Sequence, residues 1–95
     1  MYKAPGDKAE FFSMLSQTHL PYIRELPDQQ GIRTYRILEA PIGERLYDMM
    51  IEVAFAGEDE MQRALASPEG RRFVKDLVHF GVNAVTVTYM EETSL

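Results

Sequence analysis

From position 47 to 56 the chain reads Tyr-Asp-Met-Met-Ile-Glu-Val-Ala-Phe-Ala. Tyr47, Met49, Ile51, Val53 and Phe55 alternate with Asp48, Met50, Glu52, Ala54 and Ala56, which is the period of a β-strand. Both phases are largely apolar, so this strand needs cover on two sides. A chain of 95 residues makes one domain with one core, residues 1–95, so few elements are at hand to provide it.

The neighbouring segments supply candidates. Asp7 precedes a helix with Glu10 three residues on, and Phe11, Phe12, Leu15 and His19 fall at helical spacing along it. Pro21 removes the amide that would bond back to Gln17 and pushes Leu20 out of the helical region, so a bend is expected at His19-Leu20. A second turn then carries Tyr22, Ile23 and Leu26 and closes at Pro27-Asp28. Ile32–Ala40 is expected to be a strand, joined through Pro41-Ile42-Gly43 to Tyr47–Ala56 as an antiparallel hairpin. After Gly57, the acids Glu58, Asp59 and Glu60 suit the first turn of a helix. Ser67-Pro68 restarts that helix, with Phe73, Leu77 and Phe80 facing inward until Gly81. Met1–Ala4 and Val82–Met90 read as the outer strands.

The order β-α-β-β-α-β predicts an α+β, ferredoxin-like fold: a four-stranded antiparallel sheet with helices on one face. The other face, drawn from Met50, Ala54, Ala84, Thr86 and Thr88, would be bare in a monomer. A second copy is the natural cover, giving a homodimer with sheets face to face, a dimeric α+β barrel. Asp48 and Glu52 are then expected at its rim or paired with Arg33 or Arg36.

Charge and composition narrow the function. Fifteen acids against ten bases give a net charge of −5, which argues against nucleic acid as a partner. No run reaches the length of a membrane span, and zero Cys removes thiolate zinc sites and a cysteine nucleophile. A soluble, cytoplasmic protein is expected. The two histidines, His19 and His79, are too few and too far apart to suggest a metal site, although carboxylates such as Glu52 leave one open. Gly-x-Ser-x-Gly and phosphate-loop motifs are missing. His79 sits near Arg72 and Lys75 on what reads as a solvated helix face.

His19 is the catalytic candidate, because a near-neutral imidazole at the inner edge of an interrupted helix can take or give a proton. The structural alternative is a helix-end histidine that bonds a freed carbonyl near Ser16 or Gln17. Tyr35 could orient a substrate oxygen, or could simply fill core with its hydroxyl at the rim. Phe12, Tyr22, Phe55 and Phe80 could wall a site for a flat hydrophobic ligand, or could be ordinary core.

A set of short motifs then carries a resemblance: Lys3-Ala4-Pro5, Glu10-Phe11, His19-Leu20-Pro21, Leu26-Pro27, Tyr35, Glu52-Val53-Ala54-Phe55, Leu65-Ala66-Ser67-Pro68-Glu69, Asp76 and Phe80. In order and approximate spacing the chain resembles the EthD-like proteins of the dimeric α+β barrel superfamily. The resemblance implies a cofactor-free cleft enzyme moving a proton on a small lactone-, phenol- or polyketide-like compound, with His19 lining the cleft and Tyr35 beside it. It equally implies, as an alternative, a non-catalytic ligand-binding or accessory protein of ether or aromatic degradation; haem binding through His19 is a third reading. Two features depart from the pattern: the first strand is short, and Pro27-Asp28 stands where proline-glycine is common.

Overall fold

The computed structural model describes residues 1–4, 8–78 and 85–94. A helical region opens the fold in three parts: α1 (Lys8–Met14), a π-turn (Leu15–His19) and α2 (Leu20–Arg24). Pro21 does not expel Leu20 from helical space as expected. Leu20 keeps φ −57° and ψ −37°, and its amide donates to Leu15 O, five residues back. The irregularity lies upstream, as a change of helix type rather than as an exit from the helix. Asp7, the expected cap, lies outside the described residues.

After Leu26 the chain reverses through Pro27-Asp28. Asp28 has φ 62°, in the left-handed region that favours glycine and that aspartate tolerates better than most residues. This explains how aspartate can stand there.

Two antiparallel strands follow, β1 (Gln29–Arg36) and β2 (Met49–Phe55). Ile32 faces Val53, Thr34 faces Ile51 and Arg36 faces Met49, with a slip in register between Gln29 and Gly31. The hairpin is as expected, but its first strand starts three residues earlier and ends four residues sooner than side-chain alternation suggested. Backbone pairing sets these limits: Phe55 finds its partner at Gln29, and Ile37 donates to Asp48 O at 2.9 Å before the chain leaves the ladder. Leu38 and Ile42 in the connecting loop are largely exposed.

The sheet extends beyond β2 by bridges rather than by a ladder. The Tyr2 amide donates to Met49 O at 2.8 Å, Asp48 N donates to Tyr2 O at 2.8 Å, and Tyr2 also bridges Val85. Thr86 N donates to Met1 O at 2.9 Å. The lateral order is therefore β1, β2, the Tyr2 segment, the Val85 segment. Among the described residues only β1 and β2 form a ladder. The strands expected at Met1–Ala4 and Val82–Met90 each reduce to one bridged residue there, and Val82, Asn83 and Ala84 lie outside the description. Asp48 is buried, but its partners are not Arg33 or Arg36: Ala4 N donates to Oδ2 at 2.8 Å, and Arg45 lies at 3.5 Å.

Gly57 starts α3 (Glu58–Ala66), and Ser67 starts α4 (Pro68–Leu77), accepting from Gly70 N at 3.0 Å as a capping serine should. Phe11 and Leu15 join Tyr2 in the core, with Met49, Ile51, Leu77 and Val85 packed against them. Helices thus cover the Met49–Ile51 phase of β2. The opposite phase carries Met50, Glu52 and Ala54 alongside Tyr35 and Arg33, and among the described residues the core's helix side chains pack on the Met49–Ile51 side instead. No helix among the described residues is long and apolar enough to cross a membrane.

Candidate functional site

His19 ends the π-turn with 0% of its surface exposed. The two ring nitrogens meet groups from opposite ends of the chain. Tyr2 Oη lies 2.7 Å from Nε2, and Asp76 Oδ2 lies 2.6 Å from Nδ1. An ionised carboxylate only accepts, so Nδ1 carries the hydrogen and donates to Asp76. Nε2 is then an acceptor, and the Tyr2 hydroxyl donates to it. The rings of Tyr2 and His19 meet edge to face at 5.4 Å, and Phe73 lies 5.6 Å away on another side.

The electrostatics agree with this assignment. Burial lowers the His19 pKa, and the hydrogen bond and charge of Asp76 pull it partly back. Burial, and then the charge of Asp76, raise the Tyr2 pKa, so the phenol stays protonated and available as a donor. Among the described residues no buried side-chain nitrogen or oxygen lacks a partner. The arrangement is a phenol–imidazole–carboxylate chain in a dry interior, where each bond is stronger than in water.

The chain reaches solvent at one end. The Asp76 side chain is 15% exposed and lines an open cleft of about 630 Å3, together with Gln17, Thr18, Pro21, Tyr22 and Glu25. Glu25, which caps the C-terminus of α2, is met at 3.9 Å by Arg72 on α4, which ties the two elements together beside the cleft. Thr18 Oγ1 donates to Met14 O at 2.6 Å, so this hydroxyl offers the cleft only lone pairs. Three His, Asp or Glu side chains do not converge into a metal-binding set among the described residues. Haem ligation by Nε2 would first have to displace the Tyr2 hydroxyl.

The residues singled out from sequence are only partly gathered here. His19 is at the centre, and Tyr22 lines the cleft. Tyr35, opposite Met50 on β1, is 39% exposed and makes no hydrogen bond to His19. Phe12 is half-buried beneath the Arg36 guanidinium, 5.4 Å from its ring centre. Phe55 is half-buried at the end of β2, and Phe80 lies outside the described residues. Sequence reading gave no role to Tyr2 or to Asp76. A signal for Asp76 was present: a carboxylate three residues after Phe73 and one before Leu77, on the inward stripe of a helix. Tyr2 offered none, since its partner lies 17 residues away in another element.

Comparison with known proteins places this geometry. Residues 3–81 match the EthD domain. The chain belongs to the EthD family. A crystal structure of an ethyl tert-butyl ether D (EthD) family protein from Bacillus halodurans C-125 superposes with a TM-score of 0.87 at 29% identity, over 97% of this chain and 92% of that one. An 11.0 kDa protein of the thcB–thcC intergenic region of Rhodococcus erythropolis is 23% identical over 95 residues, all of this chain and 92% of the relative. The EthD match contains His19, Asp76 and the residues of the cleft that Asp76 lines; Tyr2 stands just ahead of it.

Proposed function

We propose that this EthD-family chain binds a small hydrophobic organic compound in the cleft beside Tyr22 and moves a proton on it without a cofactor, in the breakdown of ethers or related compounds. The observation that carries the reading is that Asp76 belongs to both structures at once, bonded to His19 Nδ1 and lining the cleft. Asp76 is the group that takes a proton from an acidic C–H or O–H of the ligand and returns it at the product position, so nothing is oxidised or consumed. His19 acts through Asp76: it is wholly buried, and its Nδ1–H orients the carboxylate while Tyr2 holds the ring in that tautomer. Family membership supports the link to ether breakdown, and the apolar lining supports a hydrophobic ligand.

The same proposal covers assembly. The lateral order β1, β2, Tyr2, Val85 is that of a ferredoxin-like sheet, and we take its outer segments to complete a four-stranded sheet when a second copy covers the face that carries Met50, Glu52 and Ala54.

A binding or accessory role without turnover is the second reading, favoured by the complete burial of His19 with both ring nitrogens engaged. Small ethers, alcohols, phenols and lactones titrated in D2O separate the two. Proton transfer puts deuterium on a carbon of the bound compound with wild-type protein and not with Asp76→Asn, which still binds it. Binding by wild type with no deuterium incorporated into any ligand would favour the accessory role.

A further inference from the structure

Phe11, Leu15, His19 and Ile23 are spaced four apart throughout, and all four are buried, at 3, 1, 0 and 0% exposure. A pure α-helix cannot hold such a set on one line. At about 100° per residue, each step of four overshoots a full turn by about 40°, or about 120° from Phe11 to Ile23. A π-turn, with its i→i+5 bonds and roughly 4.4 residues per turn, falls about 30° short over four residues and halves that drift. The π-turn lies over Leu15–His19, between the first and last steps. It places His19 in line with Leu15 and Ile23, where Tyr2 and Asp76 reach its two nitrogens.

The neighbouring residue explains what keeps the turn wide. In an α-helix Gln17 O would take its hydrogen bond from residue 21, which is proline and has no N–H to give. The π register loses the same donor, at Ser16 O. The two registers differ instead in the Pro21 ring, which an α-helix presses against the Gln17 carbonyl four residues back. The wider turn relieves that contact, and the Leu20 amide bonds Leu15 O.

We propose that Pro21 is a positioning residue: its ring crowds the Gln17 carbonyl in an α-helix and so holds the π-turn open, and with it His19 between Tyr2 and Asp76. This deepens the reading of Asp76 as the cleft's proton acceptor, since His19 orients that carboxylate, yet it concerns geometry and is tested without a ligand.

The experiment follows the Nδ1 proton and both ring nitrogens of His19 by NMR, with His79→Gln as the common background so that one histidine remains. The parent is expected to show one slowly exchanging, strongly downfield Nδ1 proton. Pro21→Ala removes the ring and so permits the α register, and is expected to weaken that signal several-fold, with the two nitrogen shifts moving toward the averaged values of a free imidazole. Removing Thr18 in the Pro21→Ala chain changes the spacing of the buried set to four, three and four, which suits an uninterrupted α-helix, and is expected to restore the signal. A Pro21→Ala protein that keeps the parent's signal and shifts would overturn the proposal. So would loss in Pro21→Ala with no recovery on removing Thr18, because the residue would then matter to stability and not to register. Neither result bears on whether the cleft turns over a ligand, which the deuterium experiment decides separately.

Discussion

Tyr2, His19 and Asp76 have few ways to compensate for one another, because all three sit in or at the edge of a dry core. Tyr2→Phe removes the only hydrogen between the phenol and Nε2 and leaves a buried ring nitrogen without its donor there. The expected loss is about 1–3 kcal/mol in urea unfolding. His19→Ala leaves both partners facing a cavity and should lose more, about 2–5 kcal/mol. The pH dependence follows from the directions of the two shifts. His19 has a folded pKa below its ordinary 6.5, so the unfolded chain binds more protons there, and stability is full above pH 6.5 and falls as pH drops through the lower folded value. Tyr2 is shifted the other way, so its contribution is full below pH 10 and falls as pH rises above it. Melting temperatures measured across pH should show a plateau between those limits. Tyr2→Phe should flatten the alkaline limb, and a wild-type alkaline limb unchanged by that substitution would contradict the assignment.

Among the secondary elements, the α3–α4 junction shows how packing reverses a propensity. Glycine within a helix ordinarily gains stability on change to alanine. Gly70, however, is buried where the first turn of α4 meets the last turn of α3, and a Cβ there would run into the carbonyl oxygens of Ala64 and Leu65. Those are backbone atoms that cannot swing aside, so Gly70→Ala should destabilise by about 1–3 kcal/mol in thermal or urea unfolding. Ser67→Ala, three residues earlier, loses the cap on Gly70 N and should lose about 1 kcal/mol. Asp28 is the opposite case. Its left-handed backbone is unfavourable for any side chain, and Asp28→Gly should raise stability by up to about 1 kcal/mol, the steric relief exceeding glycine's extra chain entropy. A lower melting temperature for Asp28→Gly would show instead that the carboxylate compensates for the strain.

At the scale of the whole molecule, the proposed dimer would form through the face that carries Met50, Glu52 and Ala54. Ala54 is exposed near one end of this face, Tyr35 is 39% exposed, and Arg33 stands directly opposite Glu52, which supplies both charge signs to one patch. Such a patch can meet itself across a twofold axis, with each basic group offered to an acidic one. Light scattering at micromolar concentration should return twice the chain mass of 10.9 kDa. Ala54→Arg should return a monomer with unchanged helical circular dichroism, because that side chain adds charge to the face without touching the core. A mass of one chain for wild type across that range would sink the dimer.

The sequence by itself determined the elements whose cause is local. The β2 alternation, the Ser67-Pro68 helix start, the acidic first turn of α3 and the hairpin order all follow from contacts within a few residues, and each stands in the structure. The EthD resemblance was legible for the same reason, in short motifs spread along the chain. His19 was also visible, as a histidine on an apolar stripe. Its partners were not, since Tyr2 and Asp76 lie 17 and 57 residues away and only folding brings them together. Side-chain alternation misplaced the ends of β1, which are set by backbone pairing with β2. Pro21 was read as the end of a helix because a missing amide is a local fact. That the helix continues past Pro21 was decided by tertiary packing, which rewards burying Phe11, Leu15, His19 and Ile23 together more than it penalises the irregular turn.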